Sequence, residues 1–421
     1  MKFSVVTFGC RVNQADSLGF EDDLLRCGGT AAPVDEADLV IVNSCSVTCS
    51  ADQGTRQTVR RVARANPDAR IVVTGCHATR EPAPIAALPN VIRVVPNGEK
   101  ARFRAILAEI GCTTAERFGG GDGSCGLAIE PGTAGRTAFT LRAQTGCSEP
   151  CSFCIIPTTR GAPRSVDVST ILRDVERAVV AGFKEIALTG VHLGSYGRDL
   201  SPASSLLDLL QAFARVCPAD MRLRISSLEP MECPGELVDL IAGDCRFAPH
   251  LHLPLQHASD TLLRAMRRPY ALERYDRLVR YVRERIPDAA IGTDLIVGFP
   301  GETDEDFARL VAYLGSAPLT HAHVFPYSDR PGTPAASMPG KIDGRVVRER
   351  ARILREVSAE LGRRFRARQL GTTHRALTLD DGRTAVTGNY LKVGIGPGHR
   401  RNEWVRVRIT SVGDPVAGVV Q

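Results

Sequence analysis

Twice along this chain of 421 residues, short β-branched runs alternate with stretches of helical periodicity. Such alternation leaves little choice but parallel sheets covered by helices. The first series holds KFSVVTF, LVIVNS, RIVVTG and VIRVV, separated by helical patterns over Ser17–Arg26, Gln53–Ala65, Ala83–Leu88 and Gly98–Ile110. It predicts an α/β domain over 1–130 with a doubly wound parallel sheet, followed by a glycine-rich linker at Gly119–Gly126. The second series, from about Thr137 to Tyr327, holds six strand patterns: AFTLRAQTG, EIALTGV, RLRISSL, HLHLPL, AIGTDLIVG and HAHVFPY. Amphipathic stretches at Ser169–Ala181, Leu206–Val216, Leu272–Arg285 and Asp304–Leu314 lie among them. Six βα units predict an incomplete (β/α)6 barrel, short of the closed eight, in a domain over 131–368. Residues 369–421 change to short strand patterns around RALTLDD, TAVTGNYLKVG and EWVRVRITSVG, as in a small β-barrel.

Parallel strands deliver the residues beyond their carboxyl ends to one edge of the sheet, where open α/β folds bind ligands. Cys10, Cys45 and Cys76 each stand just past such a strand, so three residues remote in sequence can converge on one metal assembly. His77, beside Cys76, leaves a Cys3His zinc site open as a second reading. A second triad stands after the first strand of the second series: Cys147, Cys151 and Cys154 in TGCSEPCSFC. Structural zinc wants four closed ligands in paired short spacings, and no His or Cys stands downstream at the distance a fourth would need. Three thiolates suit a four-iron cluster with one iron left open to a small chelating molecule.

Composition fits a globular chain, with 43% apolar residues and no run long enough to span a bilayer. Thirteen cysteines in a large chain without an apolar leader point to a reducing, cytoplasmic setting, where clustered thiols hold metals or react. The net charge of +6 is uneven: Lys341–Arg375 carries eleven Lys and Arg against four Asp and Glu, leaving 42 basic against 43 acidic residues elsewhere. A local basic segment on a neutral body suits a polyanion. Ile353, Val357, Leu361 and Phe365 recur at four-residue spacing in the same segment and predict a buried stripe opposite the charges.

The run TGCSEPCSFCIIPTTRG resembles the cluster loop of radical S-adenosylmethionine enzymes, and its IIP-x-x-RG tail resembles that of the methylthiotransferases. GCRVNQADS, VNSCSVTCSAD and TGCHA resemble the auxiliary-cluster segments of that family's amino-terminal domain, although Cys49 stands where the family more often has Asn. Residues 369–421 resemble the TRAM domain, an RNA-binding module. The resemblance implies two 4Fe-4S clusters, one on Cys147, Cys151 and Cys154 and the other on Cys10, Cys45 and Cys76; Cys27, Cys49, Cys112, Cys125, Cys217, Cys233 and Cys245, which lack strand-end company, read as bystanders. It implies contacts to S-adenosylmethionine from Phe153, Thr189, Gly190, Ser227, Glu229, Gln256, Asp294 and Phe325. One molecule of that cofactor would be reduced to a 5′-deoxyadenosyl radical that activates a carbon no side-chain base can deprotonate. Another would methylate the inserted sulfur.

Within the family, VNSCSVTCSAD, LTGVHLGSYG, RISSLEP and HLPLQHASD resemble the branch acting on N6-threonylcarbamoyladenosine of tRNA, which places methylthio on carbon 2 of the adenine just 3′ of the anticodon. That reading implies tRNA as partner, phosphate contacts from Arg363, Arg364, Arg366 and Arg368, and an external one-electron donor such as a flavodoxin or ferredoxin. The branches acting on isopentenyl-adenosine and on an aspartate of a ribosomal protein are the nearer alternatives, and a non-catalytic iron-sulfur RNA-binding protein is the distant one. Two four-iron clusters predict about eight iron atoms per chain. An anaerobic iron and sulfide count near four would remove one of the triads.

Overall fold

The computed structural model describes residues 1–111, 130–131 and 136–421; the stretch Gly119–Gly126, with Cys112 and Cys125, lies outside them. The chain folds as two compact units. One takes the described part of Met1–Ile129 with Thr145–Glu149 and Cys154–Pro163, and the other takes the remainder, including Pro150–Phe153 and Arg164–Gln421.

In the first unit, β1 (Lys2–Thr7), β2 (Thr30–Ala31), β3 (Leu39–Ser44), β4 (Arg70–Gly75) and β5 (Val91–Val95) form one parallel sheet in the order β2-β1-β3-β4-β5. The apolar run of β3 is buried at every position, because both faces are covered. Leu39 and Ile41 meet Phe20, Leu24 and Phe103 on one side, while Val40 and Val42 meet Val59, Val62 and Ile85 on the other. That is the doubly wound arrangement expected. The two long helices, Arg11–Arg26 and Cys49–Ala65, begin earlier than periodicity suggests, since their first turns are polar. Thr48 caps the second by accepting the Ala51 N–H, which makes Cys49 an exposed first-turn residue.

In the second unit, β6 (Phe139–Thr145), β7 (Arg164–Ser165), β8 (Glu185–Gly190) and β9 (Arg222–Ile225) form a sheet in the order β7-β6-β8-β9. A second sheet holds β10 (His250–His252), β11 (Ala290–Val297) and β12 (His321–Pro326) in that order. The pairs β6-β8, β8-β9, β10-β11 and β11-β12 are parallel, and an isolated parallel bridge joins Leu223 of β9 to Phe247, just ahead of β10. The result is the expected open arc of six βα units. Helices at Leu206–Val216 and Leu272–Arg285 keep their expected bounds. Among the described residues no helix is long and apolar enough to cross a membrane.

The long helix Gly344–Gln369 comes next, held to β12 by Ser358, whose Oγ donates to Ala322 O (2.8 Å) and accepts the Ala322 N–H (2.9 Å). Its buried line runs through Ala351, Leu354, Leu361 and Phe365, whereas Ile353 and Val357 are only half-buried. The expected four-residue stripe is corrected here: a strict spacing of four drifts around a helix of 3.6 residues per turn, and mixed steps of three and four hold one face.

A closed barrel ends the chain, in the order β13-β14-β15-β17-β16 from β13 (Thr373–Thr378), β14 (Thr384–Thr387), β15 (Lys392–Gly394), β16 (Trp404–Ser411) and β17 (Val416–Val420). The three strand patterns become five strands. A turn with Tyr390 at φ 66° splits TAVTGNYLKVG in two, and Val416–Val420 closes the barrel. A buried triad fastens this barrel to the arc. Glu185 on β8 receives Arg222 (2.6 Å) and Arg224 (3.1 Å) from β9, and the same guanidiniums donate to Val386 O (3.1 Å), Thr387 O (3.2 Å) and Gly388 O (2.9 Å). Burial alone would raise the Glu185 pKa; Arg224 and Arg222 outweigh it and hold the carboxyl down at about 2. Because this pKa is depressed from 4.5, the stabilisation is present above pH 4.5 and disappears as pH falls toward 2. Glu185→Gln should therefore cost about 3 kcal/mol at pH 7 and little near pH 2, checked by denaturant midpoints across that range.

Candidate metal centres and cofactor site

In the first unit, the register pairs Thr7 with Asn43 and Ser44 with Gly75, so the carboxyl ends of β1, β3 and β4 lie level. Cys10, Cys45 and Cys76 leave those ends together. Two glycines make the approach possible. A Cβ on Gly9 (φ +87°) would lie 2.6 Å from Cys45 Sγ, and one on Gly75 (φ +96°) would lie 2.2 Å from Ser44 O. Cys10 is exposed, while Cys45 and Cys76 are buried. Burial pushes the Cys45 thiol up to about 11, with Cys76 and Cys10 nearby adding to the rise. Such a group needs a metal or a cation to become a thiolate at neutral pH.

Cations are at hand in the same unit. Arg160, buried on the helix Ile156–Arg160, reaches Asp16 (3.6 Å). Burial works against its charge, and Cys76, Asp16 and Cys10 outweigh that, holding the guanidinium above its usual range. Lys100 Nζ donates to Asp16 Oδ2 (2.7 Å) and Asn43 Oδ1 (3.3 Å), and Asn97 Nδ2 approaches Cys76 Sγ (3.6 Å). These groups escaped the sequence reading. Arg160 lies inside the IIPTTRG run, but only the fold turns it toward residues 84 and more positions away.

The donor set fits a multinuclear cluster better than zinc. Among the described residues, the one group of three His, Cys, Asp or Glu whose ligand atoms all lie within 4.8 Å of one another is His252, His321 and His323. Cys10, Cys45 and Cys76 form no such group, and as three thiols without a fourth ligand they fit a four-iron cluster, whose thiolates bind different irons. His77 does not join them: its Nε2 faces Glu81 Oε2 (3.2 Å) and its Nδ1 faces Asp52 Oδ1 (3.8 Å). The Cys3His reading finds no support.

In the cluster loop, the Cys147 N–H donates to Gly161 O (3.0 Å), and Gly146 (φ +78°) brings its backbone where a Cβ would meet Ala162 O at 2.0 Å. Ser152, fully buried, is anchored within the second unit: its N–H donates to Met266 O (3.1 Å), its Oγ to Ala265 O (2.8 Å), and its carbonyl accepts Ala335 N–H (2.8 Å). Phe153 packs against Leu262, Met266, Ile296 and Phe299. Cys151 Sγ accepts from Arg268 Nη1 (3.3 Å), and Arg268 also pairs with Glu229. Nothing in AMRRPY singles out Arg268 by sequence.

The expected cofactor contacts distribute along the arc. Thr189 and Gly190 end β8; Ser227 (exposed) and Glu229 come after β9. Gln256 comes after β10 at φ +72°, where its N–H and carbonyl pair with Asp294 O (2.8 Å) and Ile296 N–H (2.8 Å). Asp294 lies within β11 and pairs with His252 Nε2 (3.0 Å), and Phe325 on β12 is 39% exposed. The carboxylates of Glu229 and Asp294 are thus already engaged by protein groups.

An open arc of six parallel strands with a three-cysteine loop after its first strand is the architecture of a radical S-adenosylmethionine enzyme. The model of the radical SAM superfamily matches residues 141–314, and that of the uncharacterized protein family UPF0004 matches residues 2–96. The chain is 35% identical to the threonylcarbamoyladenosine tRNA methylthiotransferase MtaB of Aquifex aeolicus, over 93% of this chain and 96% of that protein. It is 34% identical to the ribosomal protein uS12 methylthiotransferase RimO of Roseiflexus castenholzii, over 94% and 88%. It is 35% identical to the tRNA-2-methylthio-N(6)-dimethylallyladenosine synthase of Thermobifida fusca, over 88% and 76%. In fold, it is similar to the radical S-adenosylmethionine methyltransferase TsrM of Kitasatospora setae (TM-score 0.55, 17% identity, covering 80% of this chain and 77% of that one). The chain belongs to the radical S-adenosylmethionine methylthiotransferase family. It is a transferase that uses S-adenosylmethionine and two 4Fe-4S clusters.

Lys100 and Asp16 have side chains only 9% and 1% exposed. Lys100→Met should cost about 3–5 kcal/mol by leaving a buried carboxylate short of its partner, measured as a lowered denaturation midpoint.

Proposed function

We propose that the chain transfers a methylthio group to carbon 2 of N6-threonylcarbamoyladenosine in tRNA, at the adenine just 3′ of the anticodon. The observation that carries this is the likeness to MtaB proteins of four organisms, at 33–35% identity over 85–93% of this chain. Residues 1–130 hold the auxiliary cluster on Cys10, Cys45 and Cys76; residues 131–368 hold the cluster on Cys147, Cys151 and Cys154; residues 369–421 form an RNA-binding barrel. When bound, the clusters supply one-electron reduction of S-adenosylmethionine and a coordination site for sulfur.

The protein groups arrange around that chemistry. Arg160, Lys100 and Arg268 offset the negative charge of thiolate-bound clusters and favour their reduction. Phe153 packs beside the cofactor, and Thr189, Gly190, Ser227, Glu229, Gln256, Asp294 and Phe325 line its course across the strands. Arg363, Arg364 and Arg368 are exposed on the long helix and Arg366 is half-buried there. Arg363 (2.8 Å) and Arg364 (3.0 Å) share Glu360, a surface pairing weak enough to yield to phosphate. An external one-electron donor, a flavodoxin or ferredoxin, completes the system.

Nucleoside mass spectrometry of cells with and without the gene is the decisive test. Loss of the methylthio-threonylcarbamoyl nucleoside is expected. Loss of the methylthio-isopentenyl nucleoside, or of a modified ribosomal aspartate with nucleosides unchanged, would reassign the substrate. Cys151→Ala should abolish 5′-deoxyadenosine release from reduced protein, and Arg363→Glu with Arg364→Glu should weaken tRNA binding and flatten its salt dependence.

A further inference from the structure

His252 on β10, Gly292 on β11 and His321 on β12 lie side by side, because the register pairs His252 with Gly292 and Gly292 with His321. Asp294 and His323 pair in the next row of the same face. Gly292 carries no side chain, and both flanking imidazoles lean over it. A Cβ there would lie 2.3 Å from His321 Nε2 and 2.9 Å from His252 Nδ1. The three rings have centroids 5.4–6.3 Å apart, and one ligand nitrogen from each lies within 4.8 Å of the others.

Hydrogen bonding sets which nitrogens are free. Thr320 Oγ1 pairs with His321 Nδ1 (3.0 Å) and with Ile291 O (3.1 Å). With Nδ1 at that hydroxyl, Nε2, the atom over Gly292, is the nitrogen left to face the site. Asp294 Oδ1 takes the Nε2–H of His252 (3.0 Å), which leaves the Nδ1 lone pair facing the same spot. A carboxylate behind one imidazole and a hydroxyl behind another is how metal-binding histidines are oriented. His323 is exposed, which gives an ion a way in.

We propose that His252, His321 and His323 bind one divalent first-row transition-metal ion over Gly292, with Asp294 and Thr320 orienting the first two rings. Three imidazole nitrogens suit zinc and leave a fourth position for water or a substrate oxygen. This site is separate from both cysteine triads, and the proposal does not depend on which substrate is methylthiolated.

Zinc is the probe, since at nitrogen and oxygen ligands it displaces the ferrous iron used to build clusters. Cluster-loaded protein is equilibrated anaerobically with Zn(II), its zinc counted and its zinc K-edge absorption recorded. One equivalent with only nitrogen and oxygen neighbours at about 2.0–2.1 Å is expected, and His321→Gln or His323→Gln should weaken binding at least about 10-fold. Thermal unfolding checks that the variants fold; if His321→Gln does not, the exposed His323→Gln decides alone. Sulfur neighbours at about 2.3 Å, no stoichiometric zinc, or unchanged affinity in the folded variant would overturn the site.

Discussion

Parallel register is the constraint on which the rest of this molecule depends. Because β1, β3 and β4 run the same way and end level, the residues just beyond them share one edge, and three cysteines become neighbours without any local motif. The same geometry in the second unit brings the polar residues after β8, β9 and β10 to the carboxyl side of its strands. It also sets His252, Gly292 and His321 in one row. Glycine permits the remaining close approaches at Gly9, Gly75 and Gly146, where positive φ and contacts under 3 Å exclude any side chain.

Buried charge is used here for position more than for stability. Glu185 with Arg222 and Arg224, Asp16 with Lys100 and Arg160, and Glu302 with Arg350 all sit where desolvation opposes their charge. Apolar residues of similar volume could stabilise as well, but they could not choose partners. The Glu185 triad selects the carbonyls of Val386, Thr387 and Gly388, and so fixes the closing barrel on the arc in one orientation. The Asp16 cluster holds Lys100 and Arg160 beside the thiols of Cys10 and Cys76.

The basic helix shows two demands met by one element. Ala351, Leu354, Leu361 and Phe365 bury one side, while Arg363, Arg364 and Arg368 remain outside. Arg350 breaks the division: it turns inward to Glu302 (2.8 Å) and Asp304 (2.6 Å) and serves the fold. Counting charge along a sequence cannot separate such an arginine from its exposed neighbours.

What the sequence determined by itself is whatever local pattern encodes: the strand and helix alternation, the small final barrel, and the spacing of Cys147, Cys151 and Cys154. Strand-end position also singled out Cys10, Cys45 and Cys76, since periodicity alone says where a parallel strand stops. Tertiary structure decided which partners meet across long separations. Arg268 beside Cys151 and Glu229, Arg160 beside Asp16, and three histidines around Gly292 rest on register and on which way a side chain turns. Those choices are set by packing between elements far apart in the chain, and no short stretch of sequence carries them.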